Sequence, residues 1–263
     1  MLWALCWRGT CIELLSVAAQ RGAYARDMCG RYTHLYTWKE LHRLLSLNAS
    51  VEFELGDRYN VAPSQLAPVV RAVESGRELA KMRWGLVPAW AKDVKIAYST
   101  INARAEGLAD KPAFRSAFKR RRCLVPVSGF YEWKAVPGAK VKQPYYITLA
   151  DGEVMVFAGL WDSWRDPTAP QDAPAIESFT IITTSSNELM ATIHDRMPVI
   201  VDTADFARWL DPANQETASI AGIMKPYPSE LMLATPVSTL VNSPKNDDPK
   251  CIQSIDGQRF TLF

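Results

Sequence analysis

Apolar and polar positions alternate with a period of two through much of the chain, and each alternating stretch reads as a strand. Arg31 to Tyr36 is the first. Pro68–Glu74 and Arg77–Trp84, joined at Ser75-Gly76, predict a hairpin, and Tyr145–Leu149 with Val154–Leu160, separated by Asp151-Gly152, predict a second. Cys123 to Val127 is a continuous apolar strand that ends at a Ser128-Gly129 turn. The next strand is Phe130 to Trp133, in which Glu132 is the polar exception. Phe179–Thr184 and Val199–Val201 are further strands, and the C-terminal part returns to short ones.

Helical spacing is rarer. Thr37 and Glu40 form a capping box ahead of a helix with Leu41, Leu44 and Leu45 on one face. Asp110 and Pro112 open a helix that turns Phe114 and Phe118 inward, and Asn187–Ile193, Thr203–Leu210 and Glu216–Met224 complete the set. Lys119–Arg122, four cations in a row, suits a solvated helix C-terminus, where positive charge complements the dipole. Arg58–Pro63, the loop Trp84–Trp90 and the proline- and aspartate-rich stretch Asp162–Glu177 are irregular. Many short strands without regular alternation with helices predict an α+β fold with a mostly antiparallel sheet. No linker divides the chain, which reads as one domain after a leader of residues 1–28.

Composition narrows the chemistry. With 263 residues and a formal charge of +2, the chain lacks the basic excess that grips duplex DNA by bulk electrostatics, so any nucleic-acid contact is local. Five cysteines at irregular spacing fit neither a disulfide framework nor a zinc site, and point to a reducing, cytoplasmic or nucleoid-associated setting. His34, His42 and His194 form no ligand pattern, so no metal or cofactor is expected. No apolar run approaches the ~20 residues of a membrane helix. Residues 1–27 begin apolar but lack the initial positive charge of a secretory signal, and Arg8 and Glu13 interrupt them. They read as a removable pro-segment or as sequence upstream of the true start at Met28.

A start or cleavage at Met28 gives the hexapeptide Met28–Thr33, MCGRYT, unusual chemistry. Cys29 then carries an α-amine and a thiol on adjacent carbons, with pKa values near about 7.7–8.0 and about 8.5, so both nucleophiles are available at neutral pH. An aldehyde condenses with the amine, and the thiol closes the ring to a thiazolidine. Dehydrating the intermediate needs a proton donor and acceptor at the same carbon. Glu132 is a candidate, because on a strand it points away from Tyr131 and Trp133, and a buried face there would raise its pKa. From the sequence alone an exposed strand carboxylate fits equally well.

The segments MCGRY, YNVAP, WGLVPAW, INARAE, SGFYEW and HDRMP occur in this order, and together they resemble the SOS response-associated peptidase family, whose members process abasic sites. The resemblance spans residues 28–263. It implies a barrel-like, largely antiparallel core with peripheral helices, and a protein that binds abasic single-stranded DNA and bonds to the ring-opened sugar through its terminal cysteine. It also implies autocatalytic removal of what precedes that cysteine. Carried over by motif, Cys29 is the nucleophile, Asn102 positions the N-terminus, Glu132 is the acid/base group and His194 a second catalytic group, while Arg31, Arg104 and Arg196 line the DNA site. Trp90 and Trp133 are candidates for base stacking, with Asn60 and Pro63 as an opposing wall. A monomer is expected. A thiol peptidase built on Cys29 and His194, and a non-covalent single-strand-binding module, remain the competing readings.

Overall fold

Among the described residues, twelve strands account for most of the regular secondary structure, and their pairing creates two sheets. The computed structural model describes residues 30–48 and 54–255. In chain order the strands and helices are β1 (Tyr32–His34), α1 (Trp38–Leu45), β2 (Arg58–Val61), β3 (Leu66–Val73), β4 (Gly76–Trp84), β5 (Asn102–Arg104), α2 (Arg115–Arg120), β6 (Arg122–Val127), β7 (Gly129–Lys134), β8 (Gln143–Leu149), β9 (Met155–Trp164), β10 (Ile176–Ser185), α3 (Glu188–Ala191), β11 (Arg196–Pro198), α4 (Phe206–Leu210), α5 (Thr217–Ile220) and β12 (Met232–Pro236). The first sheet runs β12-β8-β7-β1-β2 and is antiparallel throughout. In the second, β4-β3-β6-β9-β10 closes on itself, because β10 pairs with both β9 and β4. The result is a five-stranded barrel whose one parallel joint is β4 with β10. Beyond that joint β10 continues, flanked by β5 in parallel and β11 antiparallel.

Strand alternation feeds two cores. Val70, Leu124, Val156, Leu160 and Ile182 pack with Leu41 and Leu45 of α1, Phe118 of α2 and Trp209 of α4. Their neighbours Val69, Val125, Phe157, Phe179 and Ile181 pack with Tyr32, Phe130 and Ile147 of the five-stranded sheet. The fold is α+β, as the pattern predicts, with the helices applied to the outside of the strands. The α1 capping box is present: Glu40 N–H donates to Thr37 Oγ1, and Thr37 N–H donates to the Glu40 carboxylate. The β3–β4 hairpin also forms as expected.

Three local expectations are corrected. Tyr145–Leu149 and Val154–Leu160 are not a hairpin: β8 pairs with β7 and β12, whereas β9 pairs with β6 and β10. A strand has only two edges, and those of β8 and β9 are taken by other partners, so the Asp151-Gly152 turn joins two sheets instead of two neighbours. Arg58–Val61, expected as irregular, is β2 at the edge of the first sheet, and Pro63 falls just beyond it. In the run Lys119–Arg122, the last cation is not solvated. Arg122 is buried and donates to the carbonyls of Phe118, Lys119, Trp209, Asp211 and Asn214. It thus joins the end of α2 to the end of α4 and the turn after it, and burial lowers its pKa.

Removing this guanidinium leaves several buried carbonyls without a donor, so Arg122→Ala should destabilise the protein by about 3 kcal/mol or more, as read from urea unfolding. His34 gives a pH signature. It is buried on β1, and desolvation, reinforced by the nearby Arg58 charge, pushes its pKa down to about 4. Unfolded histidine titrates near about 6.5, so between these values the unfolded chain binds the extra proton. This contribution to stability is fully present above about pH 6.5 and is lost as the pH falls toward 4, up to roughly 3 kcal/mol. In His34→Phe that part of the pH slope of the unfolding free energy should disappear.

Candidate functional site

The site is assembled where the described chain begins. Antiparallel pairing of β1 with β7 sets Tyr32 opposite Phe130, and one step outward Tyr131 N–H donates to Arg31 O at 3.0 Å. Gly129 makes room for the Tyr146 side chain of β8, since a Cβ there would stand 2.4 Å from that ring. Alternation along β7 then separates its side chains. Tyr131 and Trp133 pack with Tyr146, Val237, Val241 and Cys251 on one face, while Phe130 joins the core shared with the barrel on the other. Glu132 lies on the Phe130 side and is 2% exposed. The carboxylate is therefore buried at the junction of the two sheets, one position past the Tyr131–Arg31 hydrogen bond. Cys29 precedes Gly30 and lies outside the described residues, as does the leader.

Asn102 lies beside β10, beyond the barrel. On β5 it pairs in register with Ile181 of β10, a member of the same core as Phe130, and it is buried. Arg104, two residues on, shares its face but is exposed. Arg196 on β11 completes this side: its guanidinium donates to both carboxylate oxygens of Glu106, at 2.7 and 2.9 Å, and to Thr183 O at 2.7 Å. The hydrogen bonds from Arg196 hold the Glu106 pKa below the usual carboxylate range. His194 follows α3, with Nδ1 3.1 Å from the Arg196 amide nitrogen and 3.0 Å from Asp195 Oδ1. Its Nδ1 is thus engaged within the protein, and Nε2 is the ring atom left to meet a ligand.

On the other side, Arg31, Asn60 and Trp133 converge on the loop after β12. Arg31 Nη1 donates to Asn60 Oδ1 at 2.9 Å and Val241 O at 2.7 Å, and Nη2 to Asn242 O at 3.3 Å. Partial burial lowers the Arg31 pKa. Its Nε has no hydrogen-bond partner among the described residues, which leaves that edge of the fork for an anion. Trp133 Nε1 donates to Asn242 Oδ1 at 2.7 Å. Asn60, expected as a wall of the site, is 0% exposed and presents no surface. Its Nδ2 donates to Val241 O, Ser243 O and Asn246 O. The carbonyls of the loop after β12 turn toward Asn60, and a buried amide satisfies them. Pro63 is partly buried at the end of β2. Trp90 is 59% exposed, and its indole N–H points to Pro112 O at 3.4 Å, with no contact to Arg31 or Trp133 among the described residues.

Glu106, Asn242 and Asp247 hold these groups in place without standing among the residues expected from the motifs. Asp247 accepts from the backbone of Tyr59 and Asn60 and pairs with Arg58, tying the loop to β2. The signal for Asn242 and Asp247 is the Asn-, Ser-, Pro- and Asp-rich stretch Asn242–Pro249, dense in residues whose side chains bond nearby backbone. Among the described residues no cluster of His, Cys, Asp or Glu could hold a metal ion, and no helix is long and apolar enough to cross a membrane.

Comparison with known proteins agrees with this architecture. The profile of the SOS response associated peptidase family matches residues 28–244. The abasic site processing protein YoqW of Bacillus subtilis is 42% identical over 228 residues, 86% of this chain and 100% of that protein. The abasic site processing protein HMCES of Xenopus tropicalis is 34% identical over 227 residues, 75% of this chain and 66% of that protein. Among solved structures, a protein from Bacteroides thetaiotaomicron superimposes with a TM-score of 0.76 at 29% identity, covering 86% of this chain and 99% of that one. A phage-related protein from Bordetella bronchiseptica gives 0.61 at 29% identity, covering 80% and 95%.

Because the Asn60 amide is the donor for three loop carbonyls and the acceptor for Arg31, Asn60→Leu should cost about 2–4 kcal/mol in urea unfolding. Thr37→Ala, which removes an exposed cap, should cost only about 1 kcal/mol.

Proposed function

The chain belongs to the SOS response associated peptidase family, and from that premise we propose that it processes abasic sites in single-stranded DNA by covalent capture at Cys29. Residues before Cys29 are removed first. Attack of the Cys29 thiol on the Met28 carbonyl transfers the acyl group from nitrogen to sulfur, and water hydrolyses the thioester, freeing both thiol and amine. The amine then adds to the aldehyde of the ring-opened sugar. Loss of water from the carbinolamine gives an imine, and the thiol closes on the same carbon to give a thiazolidine. The balance is one aldehyde plus one aminothiol to one ring and one water. The crosslink shields the lesion during the response to DNA damage.

The observation that carries this reading is the buried Glu132 at the end of β7 that pairs with the start of β1. Cys29 is bonded to Gly30, which leads into the β1–β7 pairing, and Glu132 is the buried carboxylic acid carried by β7. Glu132 accepts the proton from the attacking amine and returns it to the departing hydroxyl. Asn102 orients the terminal amine from the barrel side, and His194 Nε2 donates to a sugar or phosphate oxygen. Arg31 and Arg104 contact phosphates, with Arg196 exchanging its Glu106 pairing for a third, while Trp133 and Trp90 stack on bases flanking the lesion. The small net charge goes with a footprint of few phosphates and a shallow salt dependence.

A uracil-containing single strand treated with the glycosylase that removes uracil, incubated with the protein and run on a denaturing gel, tests this. The wild-type protein should give a shifted band and Cys29→Ala none. Glu132→Gln should slow band formation by about 10²-fold or more while leaving non-covalent affinity within about twofold. A band of equal strength from Cys29→Ala, or from protein shown by mass spectrometry to retain residues 1–28 on every molecule, would overturn the reading. Peptide turnover by N-terminally blocked protein would favour the thiol peptidase instead.

A further inference from the structure

Asn242 touches two of the groups assigned to DNA contact and was given no part by the sequence. It sits on the exposed loop after β12, in the short helical turn Thr239–Asn242. Its backbone carbonyl accepts from Arg31 Nη2 at 3.3 Å, and its side-chain Oδ1 accepts from Trp133 Nε1 at 2.7 Å. The loop itself is fixed from below. Asn60 Nδ2 holds the carbonyls of residues 241, 243 and 246, Asn246 Nδ2 donates to Leu240 O at 2.7 Å, and Asp247 ties the far end to β2. Asn242 therefore projects from a hydrogen-bonded base, and its one side-chain hydrogen bond among the described residues goes to the indole.

We propose that Asn242 is a positioning residue that sets the Trp133 ring at a fixed angle beside the Arg31 guanidinium, so that one nucleotide meets both groups: its base on the indole, its phosphate on the free edge of the guanidinium. This rests on the functional reading above and deepens it. An indole on a strand end has two side-chain torsions to lose on binding, and a hydrogen bond that fixes them beforehand removes that cost from the binding step. The Asn242 amide NH₂ points to no described partner and stays available to water or a sugar oxygen. The substrate class this pairing fits is an unpaired deoxynucleotide next to the lesion, since stacking on a π-face tolerates any base.

The test uses an unmodified fluorescent single-stranded deoxyoligonucleotide, which has no aldehyde, so binding is read independently of the crosslink. Asn242→Ala and Trp133→Phe, the latter keeping a ring but losing the N–H, should each weaken binding about fivefold or more. The double variant should bind no more weakly than the weaker single variant, because with the N–H gone the Asn242 side chain has nothing to orient. Thermal midpoints of all four proteins should agree, and Asn242→Leu, which keeps the volume, replaces the alanine variant should that one loosen the loop. Full additivity in the double variant, or unchanged affinity in both Asn242 variants, would overturn the proposal. In either case a wild-type protein that still forms the shifted band on abasic DNA leaves the covalent reading standing, whereas absence of that band with coupling intact would sink the covalent reading alone.

Discussion

The pairing of β1 with β7 is the constraint on which the rest depends. It is short, with Tyr32 against Phe130 and Thr33 against Gly129, but it lies in the middle of a five-stranded sheet and is therefore held from both sides by β2 and β8. Because side chains alternate strictly along a strand, the register that sends Phe130 into the shared core also sends Glu132 there and Tyr131 and Trp133 to the opposite face. A slip of one residue would exchange the two sets. Acid and aromatics, the two kinds of group the proposed chemistry uses, are thus sorted by one register.

The arginines show how differently the same side chain can be used. Arg122 is consumed by five backbone carbonyls and is structural. Arg196 is matched to Glu106 and to Thr183 O. Arg31 is anchored by Nη1 and one bond from Nη2, and its Nε has no partner among the described residues. Pre-orienting a cation by neutral carbonyls and an amide, without a carboxylate, holds its geometry while leaving its charge for an anionic ligand.

Legibility from sequence varied for physical reasons. The α1 capping box and the β3–β4 hairpin were readable because their partners lie within a few residues, where local hydrogen bonding and turn geometry decide. The opposite sidedness of Glu132 and its aromatic neighbours was readable too, since strand periodicity is local. Its burial was not: an alternating strand does not say which face is covered. Asn60 was expected at a surface and is buried, because the loop that covers it arrives from residues 241–247, far along the chain.

By itself the sequence determined the α+β class, the positions of most strands, the candidate acid between two aromatics, and the ordered motifs that mark the family. Tertiary structure alone decided which strands are neighbours, that β8 and β9 part into separate sheets, that Arg122 leaves solvent, and that the polar loop after β12 comes back to accept hydrogen bonds from Arg31 and Trp133. The division follows from range. Turns, caps and periodicity are fixed by interactions among residues a few places apart, whereas edge choice, burial and convergence depend on which distant surfaces the whole chain can cover at once.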